Sequence, residues 1–238
     1  HVDNCISDAM PFIQTNICGT FNLLQLAKEY GCERYIQIST DEVYGDLHTC
    51  NDYEFKETDI LNPSSPYSAS KASADLLALS YYKTHKLPVM ITRSCNNFGP
   101  RQHEEKLIPK VILNALQDKE IPVYGTGNNM REWIWVIDNC KAIWHILKYG
   151  NNGEIYNIGK RDNRISNINL IRCILEILDK PQSLIKFVED RKGHDRKYAI
   201  DSRKLINELM FIQKDTPPLH YLGDTIDWYL EHQDYWED

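Results

Sequence analysis

Apolar residues recur at helical spacing early in the chain and then alternate with polar ones. The first pattern predicts a helix over residues 11–30, ended by Gly31, and the alternation over 34–39 predicts a strand. A second helical pattern covers 67–85, and a short apolar strand follows at 89–92. Helix, strand, helix and strand joined by short links are typical of a parallel sheet covered by helices. The predicted fold class is therefore α/β.

The pattern changes after residue 95, where the predicted elements become shorter and more irregular. We predict helices over 106–116, interrupted by Pro109, and over 142–149, 167–178, 202–209 and 222–232. Short strands are predicted at 121–124, 133–137, 155–158 and 185–188. This half is typical of a smaller α+β lobe. Because ligands in open parallel sheets bind beyond the carboxyl ends of the strands, the loops after Ser39 and Thr92 should carry the chemistry.

Charge and cysteine content narrow the class of protein. The 238 residues include 27 Lys and Arg against 34 Asp and Glu, a formal net charge of −7. The sequence has no basic block, which argues against a nucleic-acid partner. It also has no run of about 18 apolar residues, so it predicts no membrane span. The seven cysteines include no C-x-x-C pair. We therefore expect no metal site, no signal peptide, and reduced thiols that mostly fill the core of a cytoplasmic protein.

Two short motifs carry groups suited to acid–base chemistry. Tyr67-x-x-x-Lys71 places a phenol and an ammonium one helical turn apart, and a cation within ~4–6 Å lowers the pKa of a phenol. Thr40-Asp41-Glu42 follows the predicted strand 34–39 and offers a carboxylate to take a proton from carbon and an acid to protonate a departing hydroxyl. Taken separately, a Tyr and a Lys four residues apart are common by chance, and Thr and Asp also favour turns.

Longer motifs give a more specific signal. A strand ending in Ile-Ser-Thr-Asp-Glu-Val-Tyr-Gly-Asp, then Pro-Tyr-Ser-Ala-Ser-Lys, then Arg-Ser-Cys-Asn-Asn-Phe-Gly-Pro resembles the extended short-chain dehydrogenase/reductase family, and within it the dTDP-glucose 4,6-dehydratases. The chain departs from the family pattern at Phe98, where Tyr is usual, and at Glu132, where Asp is commoner. The resemblance also runs through His1-Val2-Asp3, Glu105-Lys106-Leu107-Ile108-Pro109, Pro122-Val123-Tyr124-Gly125, Tyr156-Asn157-Ile158-Gly159 and the stretch Gly193-His194-Asp195-Arg196-Lys197-Tyr198-Ala199-Ile200-Asp201.

The resemblance implies a set of catalytic residues. Tyr67 would remove the proton of the sugar 4-hydroxyl, with Lys71 holding the cofactor ribose and lowering the pKa of Tyr67. Thr40 would hydrogen-bond the same sugar oxygen. Asp41 would protonate the leaving 6-hydroxyl, and Glu42 would take the C5 proton. The implied reaction oxidises C4 with NAD, loses water across C5–C6 and returns the hydride to C6, which makes the enzyme a lyase of nucleotide-sugar and dTDP-rhamnose metabolism.

The same resemblance implies NAD as cofactor and dTDP-glucose as substrate. Cofactor contacts would come from Tyr67, Lys71, Thr15 and Asn97. Arg131 and Arg191 suit a diphosphate, because a guanidinium can form two parallel hydrogen bonds to it, and Tyr124 could stack on the base. The remaining matches to the nucleotide-sugar pocket are Thr40, Asn96, Lys106, Leu107, Pro122, Asp190, His194 and either Asn167 or its neighbour Ser166.

One family element has no match in the sequence. The eleven glycines include no G-x-x-G-x-x-G turn between a strand and a helix, the turn that binds the dinucleotide pyrophosphate in a Rossmann fold. We expect a first βαβαβ portion of roughly 60–90 residues to lie upstream, at ~30 per unit. On this interpretation, 1–95 is the C-terminal portion of a Rossmann NAD-binding domain that carries the catalytic residues. Residues 96–238 mainly form the nucleotide-sugar-binding lobe, with 133–150 packing back on the Rossmann domain.

Other functions stay open at this point. Nucleotide-sugar 4-epimerases, UDP-glucuronate decarboxylases and dehydratases of UDP- or GDP-sugars resemble the chain at Tyr67 and Lys71, whereas the Asp41-Glu42 pair favours loss of water. An inactive remnant or binding subunit would fit the unmatched glycine-rich turn. The resemblance further implies a homodimer through residues 11–30 and 67–85. The apolar face compatible with this pairing comprises Leu76, Leu77, Leu79, Tyr81 and Tyr82.

Overall fold

The computed structural model describes residues 2–47, 52–213, 216–217 and 219–233. Helices in this part of the chain are Val2–Ser7 (α1), Met10–Ile13 (α2), Gly19–Glu29 (α3), Pro66–His85 (α4), Leu107–Leu116 (α5), Val136–Tyr149 (α6), Asn167–Ile177 (α7), Arg203–Leu209 (α8) and Leu222–Glu231 (α9). The strands are Tyr35–Thr40 (β1), Val89–Ser94 (β2), Asn96–Phe98 (β3), Ile121–Tyr124 (β4), Met130–Trp135 (β5), Ile155–Ile158 (β6), Arg164–Ser166 (β7) and Ile185–Val188 (β8). His1 and Cys50 lie outside the described residues.

A parallel sheet of three described strands confirms the predicted α/β class. Its order is β1-β2-β6, and β2 is buried along its whole length. Side chains of a strand alternate between the faces of a sheet. Ile91 accordingly packs with Leu24 and Ala78 of the covering helices α3 and α4, whereas Met90 packs with Ile146 of α6 on the opposite face.

Five of the described strands and three of the described helices build a second layer with its own core, whereas α8 packs on β6 and α6 of the first layer. Strands β3, β5 and β7 form one sheet, and β4 pairs in parallel with β8. Helices α5, α7 and α9 pack together over a cluster that includes Ile112, Ile171 and Ile226. Because β3 begins two residues after β2 ends, the second layer starts at the carboxyl end of the central strand. The two layers therefore meet where a ligand of a parallel sheet is expected.

Several predicted boundaries were wrong for identifiable reasons. The predicted strand 133–137 lies at Met130–Trp135, and α6 starts at Val136 rather than at residue 142, because a short apolar run fits both helical and strand periods. Pro109 does not interrupt α5, since it lies in the first helical turn, where its missing N–H is not needed. The predicted helix 11–30 is continuous but contains a π-helical segment, Gln14–Cys18, between α2 and α3.

The cysteines are less buried than expected. Of the six described, Cys5 and Cys95 are buried, Cys18 and Cys140 are exposed, and the other two are intermediate. All six are free thiols. Among the residues that the structure describes, no helix combines the length and apolar character that a membrane crossing requires, and no three His, Cys, Asp or Glu side chains are grouped as metal ligands.

Candidate active site

A cleft of about 410 Å³ lies at the carboxyl ends of β1 and β2, against the second layer. Most of the residues singled out from the sequence line it. These are Thr40, Glu42, Tyr67, Asn96, Asn97, Lys106, Leu107, Pro122, Tyr124, Arg131, Asn167, Arg191 and His194. Asp41, Lys71, Thr15 and Asp190 are not among the lining residues.

The acid pair lies where β1 turns into a short 3₁₀ helix, Asp41–Tyr44. Thr40 ends the strand, and its Oγ1 accepts a hydrogen bond from the Glu42 N–H (3.3 Å) and donates one to Asp41 Oδ1 (3.3 Å). This turn sends the two neighbouring carboxyls in different directions. Glu42 lines the cleft, whereas Asp41 is 3% exposed and its Oδ2 has no hydrogen-bond partner among the described residues.

Burial and neighbouring charge separate the acid–base properties of the pair. The pKa of Asp41 is raised well above its usual value, first by burial and then by the carboxylates of Glu42 and Glu132. Burial also raises the pKa of Glu42, but Arg131, Arg191 and Lys106 oppose this effect. The pKa of Asp41 is therefore raised further than that of Glu42, and two carboxyls whose pKa values are pushed apart are the arrangement that an acid and a base need at the same centre.

Tyr67 lies in the first turn of α4, where its position is fixed by a reciprocal cap. Ser65 Oγ accepts from the Ser68 N–H (3.1 Å), and the Ser65 N–H donates to Ser68 Oγ (3.1 Å), which satisfies donors at the start of the helix. The Tyr67 phenol lines the cleft beside Glu42. Its pKa is raised by burial and further by the charges of Glu42 and Asp41.

Lys71 lies one turn beyond Tyr67 but contacts the backbone. Its Nζ donates to the carbonyl of Ile38 at 2.6 Å. Burial lowers the pKa of Lys71, against the opposing charge of Asp75. The expected lowering of the Tyr67 pKa by Lys71 is not seen in this arrangement, because the neighbouring carboxylates and burial set that pKa in the opposite direction.

One part of the cleft is basic. Arg131 (β5), Arg191 and Lys106 all line it. Arg131 donates from Nη1 to the Met130 carbonyl and from Nη2 to the Asp195 carbonyl, each at 2.8 Å. Arg191 pairs with Asp3 of α1 (3.7 Å), and its Nε is buried without a hydrogen-bond partner among the described residues. These cations suit a phosphate group, which accepts hydrogen bonds in a bidentate manner from arginine.

Side chains around the basic part supply stacking and polar contacts. Tyr124 donates to Asp3 Oδ2 (2.9 Å), and its ring meets that of His194 edge-on. Asp190 Oδ1 lies 2.7 Å from His194 Nδ1, so Asp190 orients a lining residue without lining the cleft itself. Asn167, rather than Ser166, lines the cleft. Its Oδ1 is buried without a hydrogen-bond partner among the described residues, whereas Ser166 caps α7.

Several residues in the cleft were not singled out from the sequence. Tyr198 lines it, is 4% exposed and has its ring 4.2 Å from the Arg131 guanidinium carbon. The sequence could have pointed to Tyr198, because this residue belongs to the stretch Gly193 to Asp201 that carried the family resemblance. Gln102 and Asn139 also line the cleft, and no motif marks them because their contribution comes from the tertiary arrangement.

The residues beside Tyr67 fit the nicotinamide-ribose half of NAD. Asn97 donates from Nδ2 to the Cys95 carbonyl (3.1 Å), which leaves its buried Oδ1 without a hydrogen-bond partner among the described residues. Ile38 and Asn97 line the cleft near Tyr67, and Lys71 lies one turn further along α4. Thr15 is exposed on the π-helical segment and does not line the cleft. An apolar strand end, an amide oxygen and a phenol form a suitable cradle for a nicotinamide and its ribose.

Comparison with known proteins gives a consistent result. The family model for GDP-mannose 4,6 dehydratase matches residues 1–216. The low-salt glycan biosynthesis protein Agl12 of Haloferax volcanii is 53% identical over 204 residues, covering 86% of this chain and 64% of that protein. A dTDP-glucose 4,6-dehydratase of Neisseria gonorrhoeae is 43% identical, covering 98% of this chain and 72% of the relative.

Solved structures show the same relationship. The crystal structure of DesIV, a dTDP-glucose 4,6-dehydratase from Streptomyces venezuelae with NAD and the ligand TYD bound, matches with a TM-score of 0.94 at 42% identity, covering 100% of this chain and 72% of that one. Solved 4-epimerases share the fold at 22–25% identity.

Fold and cleft thus define a Rossmann-type protein with a cleft at the end of its parallel sheet that is lined by carboxyl, phenol and basic side chains. The match over residues 1–216 shows that the chain belongs to the GDP-mannose 4,6-dehydratase family. Within that family it groups with proteins named dTDP-glucose 4,6-dehydratase at 40–43% identity.

Proposed function

We propose that this chain carries the catalytic and nucleotide-sugar-binding residues of an enzyme that converts dTDP-glucose to dTDP-4-keto-6-deoxyglucose. The observation that carries the proposal is the intact Asp41-Glu42 pair at the end of β1, with Glu42 in the same cleft as Tyr67 and the phosphate-binding cations. Seven relatives that are 40–43% identical bear the name of this activity. Solved 4-epimerases are less similar in sequence.

The first step requires a base at the sugar 4-hydroxyl. Tyr67 takes this proton, and Thr40 holds the same oxygen from the end of β1. When bound, NAD⁺ takes up a hydride from C4 and later returns it to C6. Tyr67, Lys71 and Asn97 hold the nicotinamide-ribose side, with Thr15 beyond it. Burial and the charges of Glu42 and Asp41 raise the pKa of the Tyr67 phenol.

The second step is loss of water, which the acid pair performs. A ketone at C4 acidifies the C5 proton, and Glu42 removes it. Burial raises the pKa of Glu42, and the charges of Arg131 and Arg191 oppose this effect. Burial and the neighbouring carboxylates raise the pKa of Asp41, which suits it as the acid for the departing 6-hydroxyl. Because Asp41 does not line the cleft, this role requires its carboxyl to turn toward the bound sugar. A positioned acid and base of this kind each contribute about 10²–10⁴ in rate.

The nucleotide end fixes the substrate. Arg131, Arg191 and Lys106 hold the diphosphate, and Tyr124 stacks on the base. Other contacts come from Asn96, Leu107, Pro122, Asn167 and His194, with Asp190 orienting His194.

In this arrangement residues 1–95 supply the cofactor and catalytic side and 96–238 mainly supply the nucleotide side, while α6 packs on the parallel sheet. The six free thiols among the described residues support a cytoplasmic location. The proposed product, a 4-keto-6-deoxy nucleotide sugar, supports a place in nucleotide-sugar metabolism that leads to dTDP-rhamnose.

Product analysis tests the proposal directly. The protein is expressed from its complete gene, supplied with excess NAD⁺ and incubated in parallel with dTDP-glucose and UDP-glucose. We expect a 4-keto-6-deoxy sugar from dTDP-glucose at the higher kcat/KM. A galactose epimer as the only product would assign the cleft to epimerisation, and absence of turnover with both substrates would favour a binding subunit.

We also propose a homodimer through α3 and α4. Leu76 of α4 is 60% exposed, and Phe21, Leu23 and Leu26 of α3 are exposed as well. The rest of the apolar face expected on α4 is largely used within the subunit, because Leu77, Leu79, Tyr81 and Tyr82 pack on the core of the sheet.

Sedimentation at micromolar concentration is expected to give twice the mass of the chain. Combining Leu23→Glu with Leu76→Glu should shift the protein to the monomer, because both charges would be buried in the interface. The matched control Ile212→Glu, at a residue that is 90% exposed, should leave the mass unchanged. A wild-type protein that sediments only as a monomer would reject the dimer.

A further inference from the structure

A buried carboxylate joins the two sides of the cleft. Asp195 is 5% exposed, and its Oδ2 accepts hydrogen bonds from Ser64 Oγ and from the Tyr198 hydroxyl, each at 2.5 Å. Ser64 directly precedes Ser65, the residue that caps α4, and lies three positions before Tyr67. One carboxylate oxygen therefore connects the start of α4 to the segment from Asp195 to Tyr198, which packs along β5.

The same segment holds Arg131. The Asp195 carbonyl accepts from Arg131 Nη2, and the Met130 carbonyl accepts from Nη1. The guanidinium lies over the ring of Tyr198, 4.2 Å from its centroid. A planar guanidinium held at its edge by two carbonyls and on its face by a ring has little freedom to rotate, although it lines the cleft.

This part of the chain is anchored on both sides by the backbone. The Met130 N–H donates to the Arg196 carbonyl (2.8 Å), and the Tyr198 N–H donates to the Met130 carbonyl (3.3 Å). On the other side, Asp46 Oδ1 accepts from the N–H groups of Arg196 and Lys197. Asp46 follows the acid pair in the sequence by four residues. The ring and the carboxylate are thus fixed relative to Glu42 as well as to Arg131.

We propose that Tyr198 and Asp195 are positioning residues: the Tyr198 ring presents Arg131 to the diphosphate, and the Asp195 carboxylate ties that anion site to the helix that carries Tyr67. The inference rests on the proposed function insofar as the ligand is a nucleoside diphosphate. It assigns two separable effects to two contacts. Loss of the ring weakens diphosphate binding, whereas loss of the bond from Ser64 disturbs catalysis with little effect on binding.

Calorimetry with dTDP and with dTMP separates these effects. Tyr198→Leu removes the ring, and we expect about tenfold weaker binding of dTDP but less than about threefold weaker binding of dTMP, which lacks the second phosphate. Tyr198→Phe keeps the ring and should bind dTDP within about threefold of the wild type. Ser64→Ala should leave dTDP binding unchanged and lower kcat more than it changes KM. Thermal unfolding of each variant identifies those that are not folded.

The outcomes distinguish this inference from the function on which it rests. If Tyr198→Leu binds dTDP like the wild type, or loses dTDP and dTMP equally, the ring does not present Arg131. If Ser64→Ala changes KM and not kcat, the link to the catalytic helix is wrong. A wild-type protein that binds no dTDP at all would overturn both the positioning role and the nucleotide-sugar assignment, whereas dTDP binding without turnover would overturn the dehydratase proposal alone.

Discussion

Replacing Glu42 with Gln is expected to stop the reaction after oxidation of the sugar, so that reduced cofactor accumulates while no water is lost. The amide keeps the shape of the side chain but cannot take the C5 proton. Tyr67 and Thr40 are untouched, so the 4-hydroxyl can still be oxidised. We expect dehydration to fall by about 10²–10⁴, the usual contribution of a positioned base, while absorbance at 340 nm rises toward one equivalent per site.

Two comparisons make the Glu42 result specific. Tyr67→Phe should lose dehydration without any accumulation of reduced cofactor, because it removes the base of the preceding step. Glu176→Gln, at an exposed position on α7, should behave like the wild type. The Glu42→Gln variant should not be less stable, because burial disfavours the charge of the native carboxyl and raises its pKa. An unchanged overall rate in Glu42→Gln would refute the assigned role.

The sequence predicted the parts of the site that motifs encode. Sheet geometry predicted that the loop after Ser39 carries chemistry, and the resemblance of the longer motifs to the dehydratase family assigned Thr40, Glu42 and Tyr67 to one site. The structure brings these three into one cleft. Spacing along the chain was not sufficient for this step, because each short motif taken separately is also common in turns and helices; the order of several longer motifs supplied the signal.

Contacts between residues that are far apart in the chain could not be predicted from the sequence. The bond from Lys71 to the Ile38 carbonyl depends on how α4 packs on β1, and a spacing of four residues cannot reveal it. The junction at Asp195 joins residues that are 131 positions apart in the chain. The start of α6 was misplaced because Ile134 to Ile137 form an apolar run whose period is ambiguous, and tertiary packing decides where the strand ends.

The buried pair of Arg93 and Asp75 couples the central strand to the catalytic helix. Arg93 of β2 is 2% exposed and Asp75 of α4 is fully buried, and Arg93 Nε donates to Asp75 Oδ2 at 3.0 Å. The guanidinium also lies 4.8 Å from the ring centroid of Tyr44. Burial raises the pKa of Asp75 despite the attraction of Arg93, so the intact pair is not a strong net source of stability. Removing one partner has a different consequence, since it leaves the other charge buried alone.

Asp75→Leu should therefore lower the free energy of unfolding by about 3–5 kcal/mol, the cost of leaving a buried charge uncompensated. Urea denaturation followed by circular dichroism measures the loss. Adding Arg93→Met removes the orphaned charge, and the double variant should regain much of the stability lost by the single one. Asp118→Asn breaks an exposed pair with Lys180, in which the Asp118 side chain is 70% exposed, and should cost less than about 1 kcal/mol. A double variant no more stable than Asp75→Leu would show that packing around the introduced leucine side chain causes the loss, because removal of the unpaired guanidinium would then have had no effect.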